Sequence, residues 1–312
     1  MLFRSGLFES AEIRVDSTGA VQAALGTHSH GQGHATTYAQ ILASRLGVPL
    51  AKIRIVEGDT AAVPYGTGTF GSRSIAVGGS ALDRAALKIV EKGKRIAAHK
   101  LEAAETDVEF RAGRFGVKGT DRVLTFAEVA RAAHLAHDLP PGLEPGLQES
   151  AFYDPPNFAF SNGAHVCEAE VDPETGVIAI ARYWAVDDIG TVINPMIVEG
   201  QLHGAVTQGL GQALTEACAY DGEGQLVSAS FLDYAIPRAD ELPDFVSEND
   251  ETQPCTHNPL GAKGCGEAGT IAAPAAVVSA VLDALAPLGV TELQMPLTPQ
   301  RVWEAIRRVA KR

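Results

Sequence analysis

Two stretches decide the fold: Val63-Pro64-Tyr65-Gly66-Thr67-Gly68-Thr69-Phe70-Gly71-Ser72-Arg73-Ser74, and later Asn258-Pro259-Leu260-Gly261-Ala262-Lys263-Gly264-Cys265-Gly266-Glu267-Ala268-Gly269. Each contains G-x-G-x-x-G, at Gly66, Gly68 and Gly71 and again at Gly264, Gly266 and Gly269. A dinucleotide fingerprint requires a strand running straight into the first glycine and an acidic residue roughly 20 positions later in one βαβ unit. Here a proline stands shortly before each first glycine, which disfavours a regular strand. A nicotinamide-binding sheet is therefore rejected, and the glycines read as loops that lead into helices.

Working outward, the same arrangement occurs four times: Ser29-His30-Gly31-Gln32-Gly33-His34, Gly66 to Ser74, Gly190 to Met196 and Gly261 to Gly269 each precede an apolar-periodic segment. Helix starts leave backbone N–H groups unpaired and carry partial positive charge, and glycine lets that backbone come close to an anion. Several such ends could together hold one large phosphorylated cofactor, although any single one reads as an ordinary loop. Between them the pattern is mixed. Strand-like Glu12 to Val15 and Ala20 to Leu25 flank a turn at Asp16 to Gly19, a helical segment covers Thr36 to Leu46, and a strand covers Lys52 to Glu57. A long helix follows from Ser74 to about Glu102, then a capping box, Thr125 with Glu128. Asp138 to Asn162 is rich in proline and glycine and reads as a connection between lobes. Beyond it, Ala164 to Val171 and Val177 to Val186 read as a hairpin across Asp172 to Gly176, followed by helices at Pro195 to Glu216, Ile271 to Leu285 and Pro299 to Val309. The expected class is α+β, two lobes of mixed sheet with packed helices, over residues 6–145 and 150–312.

Composition narrows the function. The 312 residues are 46% hydrophobic with a formal charge of −13, and no Lys/Arg run offers a surface for a phosphate backbone, so nucleic acid is set aside. No stretch of about 18 apolar residues is apparent and Met1 to Ser10 lacks the plan of a signal peptide, so no membrane is expected and a cytoplasmic protein is the simplest reading. Cys167, Cys218, Cys255 and Cys265 form no C-x-x-C pair, so they cradle neither zinc nor an iron–sulfur cluster. If electrons pass through this chain, another polypeptide must receive them. The chain opens directly on strand-like sequence, which suggests a fragment or a split subunit, with Met1 to Ser5 outside the fold.

A family resemblance enters at the glycine loops. Gly31-Gln32-Gly33-His34, Phe70-Gly71-Ser72-Arg73-Ser74, Asp187 to Pro195, Gln208-Gly209-Leu210-Gly211-Gln212 and Lys263 to Gly269 resemble, in order, motifs of the molybdenum hydroxylase large subunits: the xanthine dehydrogenase, aldehyde oxidase and carbon monoxide dehydrogenase family. The resemblance implies the C-terminal molybdopterin-binding portion. It puts Gln32, Gly33, His34, Gly71, Ser72, Arg73, Ser74, Gln208, Lys263 and Gly264 at the cofactor, and Glu267 in the place of the catalytic base. Arg73 would then offer its planar fork to phosphate oxygens. The Gly-Ser-Arg-Ser form is similar to the carbon monoxide dehydrogenase branch, which in bacteria implies molybdopterin cytosine dinucleotide. A 2Fe-2S cluster and FAD are expected on partner subunits only, alongside the remainder of the large subunit, in a dimer of heterotrimers.

The implied reaction is hydroxylation of an electron-poor carbon of an aldehyde, N-heterocycle or purine, or oxidation of carbon monoxide, with water as the oxygen source and the metal accepting two electrons. Taken without the resemblance, Glu267 reads as an acid at a helix N-terminus stabilised by the macrodipole. Two other functions stay open here: a metal-dependent hydrolase using His28, His30 and His34, whose spacing could suggest a zinc site, and an inactive truncated fragment that keeps the fold. Cys265 reads as a small buried residue.

Overall fold

The computed structural model describes residues 7–135 and 138–311. Met1 to Ser5 lie outside the described residues. The chain divides into two compact units, one made of the described residues up to Ala159 together with Pro254–Gly264, the other of Phe160–Gln253 and Cys265–Arg312. The division therefore falls later than the expected 145–150, and an eleven-residue excursion returns to the first unit.

In the first unit the strands β1 (Glu9–Val15) and β2 (Val21–Leu25) form a hairpin, followed by helix α1 (His34–Leu46), β3 (Ile53–Glu57) and helix α2 (Ser80–Lys100). The hairpin turn is held by Asp16, whose carboxylate accepts from the backbone N–H of Thr18 and Ala20 at 2.8 and 3.0 Å. A small antiparallel sheet of β4 (Val108–Arg111), β5 (Arg114–Val117) and β6 (Val123–Thr125) precedes α3 (Phe126–Leu135). At that helix start the expected capping box forms in both directions, Thr125 N to Glu128 at 2.7 Å and Glu128 N to Thr125 Oγ1 at 3.2 Å. The strand β7 (Leu147–Tyr153) lies inside the segment read as a connection; it pairs antiparallel with β1 and completes a sheet of order β3-β2-β1-β7. Its alternation is masked because Glu149 falls in an inward phase and Phe152 is half exposed. Ala11, Ile13 and Val15 of β1 and Leu82, Ala85, Ala86 and Ile89 of α2 are buried between sheet and helix.

The long helix read from Ser74 is not uniform. It opens with a π-helical turn, Ser74–Gly79, before α2 begins, and such turns concentrate at functional sites.

In the second unit β8 (Asn162–Val171) and β9 (Ile178–Asp188) form the expected hairpin, closed by Asp172, which accepts from Glu174 N at 2.8 Å and Thr175 Oγ1 at 2.7 Å. Helix α4 (Pro195–Leu214) follows, capped by Asn194, then β10 (Phe245–Asn249), which pairs parallel with β9, then α5 (Ala268–Leu285) and α6 (Pro299–Ala310). The core joins Tyr183 and Ala185 of β9, Val206 and Leu210 of α4, Ala273, Val277, Val281 and Leu285 of α5, and Val302 of α6. The stretch Ala268–Leu288, with mean hydropathy 1.9, is long and apolar enough by composition to cross a membrane. Thr270, Ser279 and Asp283 hide it from a search for an unbroken apolar run, and one row of its side chains packs into the core just described.

Candidate functional site

The first unit brings two glycine-rich loops together. Their backbones touch where Gly26 meets Gly66: a Cβ on Gly66 would sit 2.4 Å from Gly26 Cα, so neither position accepts a side chain. Gly68 N donates to Gly26 O at 3.0 Å and His28 N to Thr69 Oγ1 at 3.1 Å, which fixes the register of one loop on the other. Behind the loops lies a buried polar layer that the sequence did not reveal. Tyr38, fully buried on α1, donates its hydroxyl to Ser74 O at 2.9 Å and meets Thr27 Oγ1 at 3.2 Å; Thr27 in turn donates to Glu57 at 2.6 Å, and His34 Nδ1 lies 2.9 Å from the same carboxylate. Burial pushes the Tyr38 phenol far up, so it stays a donor.

Arg73 is placed differently from the expected phosphate fork. Its side chain is 2% exposed, and its terminal nitrogens bond Glu9 at 2.9 Å, Gly68 O at 2.8 Å, and Leu7 O and Phe8 O at 3.0 Å each. The guanidinium thus ties loop 66–74 to the start of β1. Its Nε–H is buried and has no hydrogen-bond partner among the described residues.

Of the other expected cofactor residues, Gly71 is exposed, Ser72 half-buried and Ser74 buried, its Oγ 2.9 Å from Thr69 Oγ1. Ser72 has φ of 53°, a left-handed conformation that non-glycine residues adopt seldom and that stores strain. Gln32 accepts from His30 N within the turn, and Gly33 caps α1 in the left-handed region with no side-chain cap, so the first-turn amides of that helix are not covered by a capping side chain. Lys263 and Gly264 belong to this unit as well, and Gly264 packs directly on the serine loop: a Cβ there would stand 2.1 Å from Ser72 O. Gly264→Ala should therefore displace the backbone of one loop, at roughly 1–3 kcal/mol, with a fall in cofactor retention; unfolding midpoint and pterin content of the variant check this.

The histidines do not assemble a metal site. His28 Nδ1 and His30 Nε2 are 3.3 Å apart, but His34 turns to Glu57, and no group of three or more His, Cys, Asp or Glu side chains that could hold a metal occurs among the described residues. The hydrolase reading loses its ligands.

In the second unit Gln208 is exposed on α4, and Glu267 is exposed at the N-cap of α5. Its backbone carbonyl accepts from Ile271 N at 3.1 Å, yet its carboxylate makes no capping bond to the helix. Cys265 and Ala268, on either side of the turn, pack against Ile189, Val198 and Leu202, which holds Gly266 and Glu267 on a small apolar anchor. Burial pushes the Cys265 thiol up to about 11, in keeping with a packing residue and not a reactive one. His165, whose side chain is 2% exposed, lies 2.8 Å from the Tyr183 hydroxyl and 3.1 Å from Asp187, satisfied on both ring nitrogens.

Comparison with known proteins supplies a family. Residues 2–243 match the family of the molybdopterin cofactor-binding domain. The chain is 45% identical over 303 residues to the carbon monoxide dehydrogenase large chain of Hydrogenophaga pseudoflava, covering 97% of this chain and 37% of that one. It is 41% identical to the nicotine 6-hydroxylase large subunit of Paenarthrobacter nicotinovorans, over 96% of this chain and 37% of the other. The structure of the carbon monoxide dehydrogenase from Oligotropha carboxidovorans superposes with a TM-score of 0.92 at 44% identity, covering 97% of this chain and 38% of that one. The chain thus spans little more than a third of the length of these relatives.

The residues present fit such a group. Backbone amides at an uncapped helix start and serines on a strained loop form a donor set suited to an anionic, phosphate-bearing pterin.

Proposed function

The chain belongs to the molybdopterin cofactor-binding domain family, and on that premise we propose that it is the part of a molybdenum hydroxylase large subunit that holds the pterin and supplies the base for hydroxylation. One observation carries the reading: Glu267 stands exposed at a helix start, anchored by its neighbours.

In the first unit the residues proposed to hold the cofactor are Gln32, Gly33, His34, Gly71, Ser72, Ser74, Lys263 and Gly264; in the second unit Gln208 of α4 is proposed as a cofactor residue. Arg73 holds their loop in shape from beneath. The overall reaction converts R–H and water to R–OH with release of two protons and two electrons. When bound, the molybdenum centre supplies the two-electron acceptor and the Lewis acidity that makes water a competent oxygen source. Glu267 accepts a proton from the attacking oxygen. Among aldehydes, N-heterocycles, purines and carbon monoxide, we favour an aldehyde or N-heterocycle; nicotine 6-hydroxylase, a relative at 41% identity, acts on the second class by its name. Molybdopterin cytosine dinucleotide is the cofactor form proposed, with iron–sulfur and FAD subunits as electron acceptors, a dimer of heterotrimers, and a cytoplasmic location.

Turnover in isotopically labelled water tests the reaction class. The assembled enzyme should place the label from water in the product; label taken from dioxygen, or a hydrolysed product with no electrons released, would exclude hydroxylation of this kind.

A further inference from the structure

Beneath the glycine loops of the first unit, one buried chain of polar groups has its two ends at different loops. It is centred on Glu57, which closes β3 opposite Leu25 of β2 and whose side chain is 7% exposed. Two donors reach this carboxylate: His34 Nδ1, from the first residue of α1, at 2.9 Å, and the Thr27 hydroxyl at 2.6 Å. Both end on the same oxygen, Oε1. Each hydroxyl has one proton to give. Thr27 gives its proton to Glu57, which leaves its oxygen an acceptor 3.2 Å from the Tyr38 hydroxyl, while Tyr38 donates to Ser74 O at 2.9 Å. Thr27 and Tyr38 are buried, and the π-helical turn that begins at Ser74 lies directly against them: a Cβ on Gly78 would stand 2.8 Å from Thr27 Cγ2 and 3.0 Å from the Tyr38 oxygen. One end of the chain therefore fixes the start of α1, which has no side-chain cap. The other fixes the loop of Ser72 and Ser74, whose backbone is strained at Ser72.

We propose that Glu57 is a positioning residue for the cofactor: through His34 on one side, and through Thr27 and Tyr38 on the other, it sets the spacing between the backbone amides at the start of α1 and the serine loop, so that both meet one phosphate-bearing ligand. The inference rests on the reading that the first unit holds the pterin. Stability alone does not account for such a chain, because apolar side chains of the same shape would fill the space with no charge to desolvate. A buried polar chain in which each hydroxyl proton has an acceptor instead holds its members in one arrangement. A carboxylate is also ill-suited to face an anion, and Glu57 has its accepting oxygen turned to Thr27 and His34. It acts on the ligand from behind, through groups that the two loops carry.

The test uses the enzyme assembled with the remaining large-subunit length and its partner subunits. Two quantities are read for each variant: the rate at which pterin leaves the protein well below the unfolding temperature, and the unfolding midpoint. Glu57→Met keeps the length but offers no acceptor, and Tyr38→Phe keeps the ring but removes the donor to Ser74. Phe115→Leu is the stability control, since Phe115 is buried in the small sheet among Phe110, Phe126 and Gly93. Glu57→Met and Tyr38→Phe should each release pterin roughly 10–100-fold faster, the range for groups that orient a site's contacts from behind. Their double variant should release it no faster than the more affected single variant, because either change breaks the same chain. Glu57→Gln should restore slow release, since its amide oxygen still accepts from both donors. Phe115→Leu should lower the midpoint and leave release unchanged. Tyr38→Phe carries the test where Glu57→Met does not assemble. Wild-type release in these variants, effects that add in the double variant, or equally fast release from Phe115→Leu overturns the positioning role and leaves the pterin reading standing. A wild-type assembly that carries no pterin overturns both.

Discussion

Glu267→Gln, in an enzyme assembled with the remaining large-subunit length and its partner subunits, should lose about 10²–10⁴-fold in the rate of substrate oxidation with cofactor content unchanged. The amide keeps the shape of the side chain and its place at the start of α5, and the anchor formed by Cys265 and Ala268 on Ile189, Val198 and Leu202 does not depend on its charge. What it cannot do is take the proton from the attacking oxygen. Were the residue only a helix-start acid, the amide would cost about 1 kcal/mol or less of stability and leave the rate near normal. Reductive half-reaction rates and unfolding midpoints on one preparation separate these outcomes.

The second large effect concerns Arg73. Arg73→Ala strands Glu9, whose side chain is 0% exposed, as an uncompensated buried charge, and it also leaves the carbonyls of Gly68, Leu7 and Phe8 without their donor. Removing one partner of such a pair costs about 3–5 kcal/mol, so the urea midpoint should fall sharply even with no cofactor present. Glu9→Gln combined with Arg73→Met should recover part of the loss, since a neutral pair needs no compensation. Stability unchanged in Arg73→Ala, with cofactor lost, would instead favour the direct phosphate contact that the residue type first suggested. Arg73→Lys is expected to fall between, keeping charge without the planar fork that serves four acceptors at once.

The contrast between these two residues shows what the sequence makes legible. Local signals held: the Thr125 and Glu128 box and the Asp172 hairpin turn are each written within a few consecutive residues. The two glycine fingerprints were correctly denied a preceding strand because proline speaks locally as well. What stayed hidden was long-range. Arg73 finds Glu9 across 64 positions, and Tyr38 finds Ser74 across 36, so neither partner is visible from motif spacing. Strand β7 was read as a connection because its partner, β1, lies more than a hundred residues away, and without that partner the sequence Leu147–Tyr153 alternates too weakly to stand out. The family motifs drew attention to the residues of the glycine loops; the layer beneath them, Glu9, Thr27, Tyr38 and Glu57, came only with the fold.

Metal and pterin analysis bears most directly on the claim that this chain holds a molybdenum cofactor. The chain assembled with the remaining large-subunit length should carry stoichiometric molybdenum with a pterin, and the isolated chain should retain neither. Zinc in place of molybdenum, or an assembled subunit that stays metal-free after expression in a host that makes the cofactor, would contradict the account.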